Sequence, residues 1–310
     1  MRPDKTAIDW IAIDWGTTNL RAWGMGAGGV VATASSEDGM GTLARDGFEP
    51  ALLRLIGPWL SNATAKVMAI PVLACGMVGS RQGWFEAPYR AVPCPPLHPG
   101  AMVTVPVGDP RITVQIAPGL KQEKPADVMR GEETQIAGAL TLYPGFDGAM
   151  CLPGTHSKWA GISAGEVVSF QTYLTGEMFA LLSGQSVLRH GMAAGGWNDA
   201  AFDEGVAEGM ARPERLLANL FRLRAEGLIA DLDAGSARAR LSGLLIGAEL
   251  SAARPYWLGA RVALIGSDSL TGLYARALAA QGLVAEVLPA ETCTIAGLAF
   301  AAGALSKAAE

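Results

Sequence analysis

Two short stretches of the chain carry residues suited to hold a polyphosphate: Trp15-Gly16-Thr17-Thr18-Asn19-Leu20-Arg21-Ala22-Trp23 near the start and Pro153-Gly154-Thr155-His156-Ser157-Lys158-Trp159-Ala160-Gly161 at the middle. Each sets a Gly-Thr pair directly after an apolar run, Ile11 to Ile13 in one and Ala149 to Leu152 in the other. Glycine lets the backbone turn tightly and removes the side chain that would hold a ligand away. Successive N–H groups in such a turn form an anion-binding concavity, and threonine hydroxyls add donors. Gly-Thr pairs also occur in ordinary hairpin turns. Two copies, each followed by a β-rich stretch with a Val-Val pair (Val30-Val31 and Val167-Val168), predict two similar domains that grip one polyphosphate from opposite sides.

Carboxylates stand where phosphoryl chemistry would use them. Asp14 ends the first apolar strand, immediately before the first turn, and could hold Mg²⁺ directly or through water. Magnesium takes one or two carboxylates plus substrate phosphates, so one Asp suffices; a turn-capping role is the plainer alternative. In Arg130-Gly131-Glu132-Glu133-Thr134-Gln135 a second acid is expected to border the apolar face of a helix, where it would accept the proton of an attacking hydroxyl. The alternative is that Glu132 and Glu133 only favour a helix dipole. Lys158 is a candidate phosphate contact or a surface lysine. Gly266, Ser267 and Asp268 join a strand to a helix, and their small side chains would let an adenine or ribose approach the backbone.

The elements that must position these residues can be read from periodicity. Residues 7–15, 19–25 and 29–36 read as a strand meander, and Glu49 to Leu60 as a helix through Leu52, Leu53, Ile56 and Leu60. Val67 to Ala74 and Ile112 to Ala117 read as strands, with a Pro- and aromatic-rich loop or flap from Gly76 to Pro99 between them. Asp127 to Leu140 is predicted as a helix, and Gly148 to Tyr173 as a second meander. Glu177 to Leu250 is predicted almost wholly helical, with Leu216, Leu217, Leu220, Phe221 and Leu228 making an apolar stripe. Arg261 to Ile265 and Val284 to Leu288 read as strands, Asp268 to Ala280 as a helix, and Cys293 to Leu305 as a closing helix capped by Thr292. Tyr143 to Asp147 breaks the chain into residues 1–145 and 146–310. The second part carries a helical insertion over 177–258, and helix 293–306 is expected to pack at the hinge or on the first domain.

Composition narrows the function. The chain has 310 residues, a formal charge of −5 and only 17% charged residues, with no Lys/Arg run. That excludes a nucleic-acid surface, which depends on neutralising many phosphates. No stretch approaches the roughly 20 apolar residues of a membrane span, and Met1 to Lys5 lacks the apolar core of a signal peptide, so a cytoplasmic, membrane-free location is expected. Cys75, Cys94, Cys151 and Cys293 are too scattered for a zinc site or a disulfide scaffold.

Asp14 to Asn19, Pro153 to Lys158 and Leu264 to Asp268 together resemble the two phosphate motifs and the adenosine motif of the acetate/sugar kinase, heat-shock ATPase and actin superfamily. The resemblance implies an α/β fold of two ribonuclease H-like (actin-like ATPase) domains with the nucleotide in the cleft between them. Over essentially the whole chain the sequence resembles the 2-dehydro-3-deoxygalactonokinases, through Ile13 to Arg21, Cys75 to Ser80, Arg130 to Gln135, Leu152 to Trp159 and Phe170 to Met178. This implies ATP- and Mg²⁺-dependent phosphorylation of 2-dehydro-3-deoxy-D-galactonate at its 6-hydroxyl, in galactonate catabolism; the alternatives are a kinase of the same fold for another sugar acid or an amino sugar, and a non-catalytic nucleotide-gated sugar-binding regulator. Many sugar kinases of the superfamily place Asp where this chain has Glu132 or Glu133.

A keto-deoxy sugar acid needs a cation and a few fixed polar groups. Arg21, Arg81 and Arg130 are candidates for its carboxylate, because guanidinium pairs with carboxylate through two hydrogen bonds. Ser80 and Arg81 lie in the flap with Trp84, which could stack on the sugar chain, although an Arg-aromatic surface also suits a subunit contact and a homodimer. Thr175 and Glu177 are candidate hydroxyl contacts.

Overall fold

The computed structural model describes residues 7–60, 69–192 and 195–309, with side chains up to residue 303. The chain divides into two compact units: residues 1–146, 164–168 and 290–310 form unit 1, and residues 147–163 and 169–289 form unit 2.

Unit 1 begins with β1 (Trp10–Trp15), β2 (Leu20–Gly26), β3 (Gly29–Ser36) and α1 (Phe48–Leu60), followed by β4 (Ile70–Gly76), β5 (Arg90–Ala91), β6 (Val103–Val105) and β7 (Ile112–Ile116). It continues through β8 (Leu120–Gln122), β9 (Asp127–Met129) and α2 (Glu132–Leu142). The main sheet has the order β3-β2-β1-β4-β7-β6, with β1, β4 and β7 parallel and the meander antiparallel. The central strand β1 is apolar at consecutive positions because both of its faces are covered. Ile11, Ile13 and Trp15 pack with α1, while Ala12 joins a second cluster with Leu73, Cys75 and Leu298.

Unit 2 repeats the plan. It contains β10 (Gly148–Leu152), β11 (Ser157–Ser163), β12 (Glu166–Tyr173, which belongs to this unit from Ser169 onward), α3 (Thr175–Gly184), α4 (Asp199–Ala211), α5 (Leu216–Ile229), α6 (Ala234–Ala252) and α7 (Arg254–Trp257). Next come β13 (Val262–Gly266), α8 (Asp268–Ala279) and β14 (Glu286–Pro289), after which α9 (Ala290–Ala309) returns to unit 1. The sheet order is β12-β11-β10-β13-β14, again an antiparallel meander followed by parallel strands. The two meanders predicted from the repeated turns are therefore present, each starting a ribonuclease H-like sheet.

Close helix crossings are built on glycine. In unit 1, α2 and α9 meet at Gly138 and Gly297, where an added methyl group would strike the Cys293 and Thr134 backbone carbonyls respectively. In unit 2, Gly205 and Gly209 of α4 lie against Gly243 and Gly247 of α6 in the same way.

Several local expectations are corrected. Residues 127–129 form a strand paired with β8, and α2 starts only at Glu132. Gly131 is the reason: its φ of +104°, accessible to glycine, breaks the chain direction ahead of the helix. Trp84 is buried in the core against Trp15 and Phe48, with ring centroids 6.1 and 6.3 Å away, so it does not form a stacking surface for a ligand. The 76–99 flap is pinned by that tryptophan, by Ala87 and Leu97, and by β5 on β8. Thr292 lies inside α9, which begins at Ala290. On α5 the structure buries Leu220 and Leu223 but leaves Leu217 80% and Phe221 66% exposed, so most of the expected stripe does not face the core. Val67 and Met68, the start of the expected strand, lie outside the described residues.

Candidate active site

The β1–β2 connection of unit 1 is a four-residue turn. The Gly16 N–H donates to the Asn19 carbonyl at 2.9 Å, closing the turn, and Thr17, Thr18 and Asn19 are exposed. Met40 and Gly41 brace it from behind, donating their N–H groups to the Gly16 and Thr17 carbonyls at 3.0 and 2.8 Å. Beside it, Asp14 lies opposite Arg21 in the strand register, with Arg21 Nη1 3.7 Å from Asp14 Oδ2. Desolvation raises the Asp14 carboxyl above its ordinary value; Arg21 opposes the shift and the charge of Glu132 adds to it.

Glu132 and Glu133 occupy the first turn of α2 and differ sharply. Glu133 is fully buried; its Oε2 accepts the Gly131 N–H at 2.7 Å and its Oε1 the Thr134 hydroxyl at 3.0 Å. Burial, reinforced by the charge of Glu132, pushes it up to about 8. Glu132 is only half-buried, and its Oε2 accepts the Arg130 N–H at 3.0 Å. Gly76, at φ +91°, lets the end of β4 approach the Trp15 carbonyl and the Asp14 carboxylate, and Gly131 lies against Gly76. Asp14, Arg21, Glu132 and Glu133 thus belong to one corner of unit 1.

The other unit 1 candidates separate by exposure. Arg21 and Arg81 are exposed, whereas Arg130 is buried. Arg130 donates through Nη2 to the Ala87 carbonyl at 2.7 Å and lies 4.3 Å over the Tyr89 ring, while Nε and Nη1 have no hydrogen-bond partner among the described residues. Ser80 is buried as well, and its hydroxyl also lacks a partner there.

In unit 2 the repeated turn spans Pro153 to His156, with Gly154 half-buried and Thr155 and His156 exposed. His156 Nε2 lies 2.6 Å from Glu177 Oε2, and the Glu177 N–H donates to the Thr155 carbonyl at 2.9 Å, so the start of α3 is docked on the turn. Gly176 makes that docking possible, because a Cβ there would meet the Gly154 carbonyl. Lys158 is buried within β11, opposite Leu152, and Ser157 is buried with its Oγ 2.9 Å from the Tyr274 hydroxyl. Gly266 packs beside Pro153, and Ser267 and Asp268 are exposed at the start of α8.

Gly154 also opens onto a largely apolar pocket. Its walls include Thr175 and Phe179 of α3, Arg238 and Ile246 of α6, and Leu270 and Tyr274 of α8. The Arg238 guanidinium lies 4.9 Å over the Phe179 ring, forming a flat wall suited to an aromatic base. Phe179, Arg238 and Tyr274 were not singled out from sequence, because they lie in stretches that read only as helix. Behind the pocket Glu249 is buried in α6, and a lone acid in the uncharged run Leu241 to Ala253 was the available signal. Among the described residues no group of three or more His, Cys, Asp or Glu could hold a metal ion. Nor is any helix there long and apolar enough to cross a membrane.

Residues 14–301 match the family model for 2-keto-3-deoxy-galactonokinase. The chain is 36% identical to a probable 2-dehydro-3-deoxygalactonokinase of Rhizobium meliloti (strain 1021), over 97% of the chain and 98% of the relative. It is 35% identical to the 2-dehydro-3-deoxygalactonokinase of Escherichia coli (strain K12), over 96% and 99% respectively. A crystal structure of a protein assigned to the same activity from Sinorhizobium meliloti superposes with a TM-score of 0.87 at 37% identity, covering 96% of this chain and 99% of that one. The activator of 2-hydroxyisocaproyl-CoA dehydratase from Clostridium difficile, solved with bound ADPNP, shares the fold at a TM-score of 0.52 and 12% identity, covering 96% of each chain.

Proposed function

The chain belongs to the 2-keto-3-deoxy-galactonokinase family, and on that footing we propose that it transfers the γ-phosphoryl group of ATP to the 6-hydroxyl of 2-dehydro-3-deoxy-D-galactonate, in galactonate catabolism. The observation that carries this reading is the corner of unit 1 in which Asp14 and a half-buried Glu132 stand beside an exposed Gly-Thr-Thr-Asn turn.

Glu132 is the base in this proposal. A general base must reach the proton it removes, and Glu133 has no exposed surface and both of its oxygens engaged. Glu132 has the accessibility, and the Arg130 N–H holds its carboxylate in place. Asp14 suits Mg²⁺: a carboxylate raised in part by a neighbouring acid gains from a cation, and a site with few protein ligands is what magnesium uses when phosphates complete its shell. Mg²⁺ there would neutralise charge on the transferring phosphoryl group. The acceptor's carboxylate needs an accessible guanidinium, which Arg21 and Arg81 supply and Arg130 does not.

The nucleoside end of ATP is assigned to the unit 2 pocket, with the base against Phe179 and Arg238 and the ribose near Gly266 and Ser267. Within unit 2, the half-buried Gly154 and the exposed Thr155 and His156 are assigned to the phosphates, with the Thr155 hydroxyl as an added donor. ATP dependence and four unpaired cysteines support a cytoplasmic setting.

ADP release measured by a coupled assay across a panel of sugar acids tests the reading. Turnover is expected with 2-dehydro-3-deoxygalactonate and much less with 2-dehydro-3-deoxygluconate. Binding of ATP without ADP release on any member of the panel would point to a nucleotide-gated regulator.

A further inference from the structure

Glu249 has no part in the chemistry proposed above, yet it organises the interior of unit 2. It is 3% exposed on α6, among Leu245, Ile246 and Leu250. Oε1 accepts the Trp159 indole N–H at 2.8 Å, and Oε2 accepts the Tyr274 hydroxyl at 2.7 Å and the Thr175 hydroxyl. The Tyr274 oxygen lies 2.9 Å from Ser157 Oγ. These partners fall into two sets. Thr175 and Tyr274 line the pocket beside Gly154, and Ser157 and Trp159 lie in β11, the strand that leaves the Pro153 to His156 turn.

A lone acid in an apolar helix costs stability unless hydrogen bonds compensate, and leucine would fill the same space more cheaply. What leucine could not do is accept three donors arriving from three elements. With Tyr274 donating to Glu249, Ser157 is left to donate to Tyr274, so one carboxylate sets the direction of the whole chain of bonds. Desolvation raises the Glu249 carboxyl, and its hydrogen bonds from Thr175, Tyr274 and Trp159 oppose that rise.

We propose that Glu249 is a positioning residue for the nucleotide. It joins the wall of the nucleoside pocket to the strand that carries the second phosphate turn, and so keeps the two ends of one bound nucleotide in register. This rests on the assignment of ATP to unit 2.

Glu249→Gln tests it with little change of volume. The new amide N–H₂ faces the Thr175 and Tyr274 hydroxyls as a donor, which forces Tyr274 to turn its proton toward Ser157. Calorimetry on the full chain, with ATP and with adenosine, reads the result. The loss of this network is expected to weaken ATP about tenfold or more and adenosine by less than about threefold, so the affinity gained from the phosphates shrinks. In turnover, KM for ATP is expected to rise while KM for the acid stays within about twofold.

A purely structural role would lower the unfolding midpoint and leave the ratio of ATP to adenosine affinity unchanged. Tyr274→Phe keeps the ring in the core, removes only the hydroxyl, and is expected to shift the ratio in the same direction; it decides the matter alone if Glu249→Gln does not fold. Folded variants with the wild-type ratio overturn the proposal while the nucleotide assignment stands. Wild-type protein that binds neither ligand overturns both.

Discussion

Asp14 and Arg21 face each other across the first two strands of unit 1, with Nη1 of the arginine 3.7 Å from Oδ2 of the aspartate. Arg21 holds down a carboxyl that desolvation and Glu132 push up. Replacing Arg21 with Gln is therefore expected to raise the Asp14 carboxyl further. If ionised Asp14 is needed for turnover, the acid limb of the kcat/KM profile moves to higher pH, and a pH–rate series on both proteins measures the shift. An unmoved limb would remove Asp14 from the rate-controlling ionisations.

Asp14→Asn keeps the shape of the site and deletes its charge. It is expected to lower kcat by about 10²-fold, the order expected when a metal contact worth several kcal/mol is weakened. Half-maximal rate should need more Mg²⁺, as a magnesium titration at saturating ATP would show.

Glu132→Gln and Glu133→Gln separate the two neighbouring acids. Loss of a general base lowers turnover by about 10² to 10⁴-fold, and that loss is expected only for Glu132→Gln, with ATP affinity nearly intact. If Glu133→Gln is the slower enzyme, the assignment reverses.

Glu133 also sets a pH dependence of stability. Its carboxyl stands at about 8 in the folded protein, against an ordinary value of 4.5, so the folded state binds the extra proton between these limits. Stability is therefore expected to be fullest below the lower value and to fall as pH rises through the higher one, by an amount on the order of a few kcal/mol. Urea midpoints at about pH 5, 7 and 9 measure the slope, and Glu133→Gln should flatten it.

Trp84→Ala is expected to cost about 3 to 5 kcal/mol of stability, as removal of a large buried aromatic does. Trp84→Phe should cost less and leave KM for the acid within about twofold. A large change in that KM at unaltered stability would return the ring to the substrate.

The repeat made much of the fold legible: Gly16 and Gly154 each follow an apolar run, and both turns indeed lie between the first two strands of a meander sheet. Less legible was any residue whose role depends on an element far away in sequence. Trp84 reads as a binding aromatic in a proline-rich loop until Trp15 and Phe48 are brought beside it. Met129 continues a helical row with Glu133 and Leu140, and only the positive φ of Gly131 shows why a strand ends there. Leu217 and Phe221 fit the period of a buried face, but period alone does not say which of two adjoining stripes the neighbouring helices cover.

The crossing of α2 with α9 at Gly138 and Gly297 has a consequence for biosynthesis. Helix α9 covers Ala12, Leu73 and Cys75 on the first sheet, so during translation that sheet stays open on one side until residues 290–309 clear the ribosome. All of unit 2 emerges first. A nascent chain stalled before residue 290 would present a bare apolar flank to chaperones, and its ripening into a closed first lobe waits until α9 has been made.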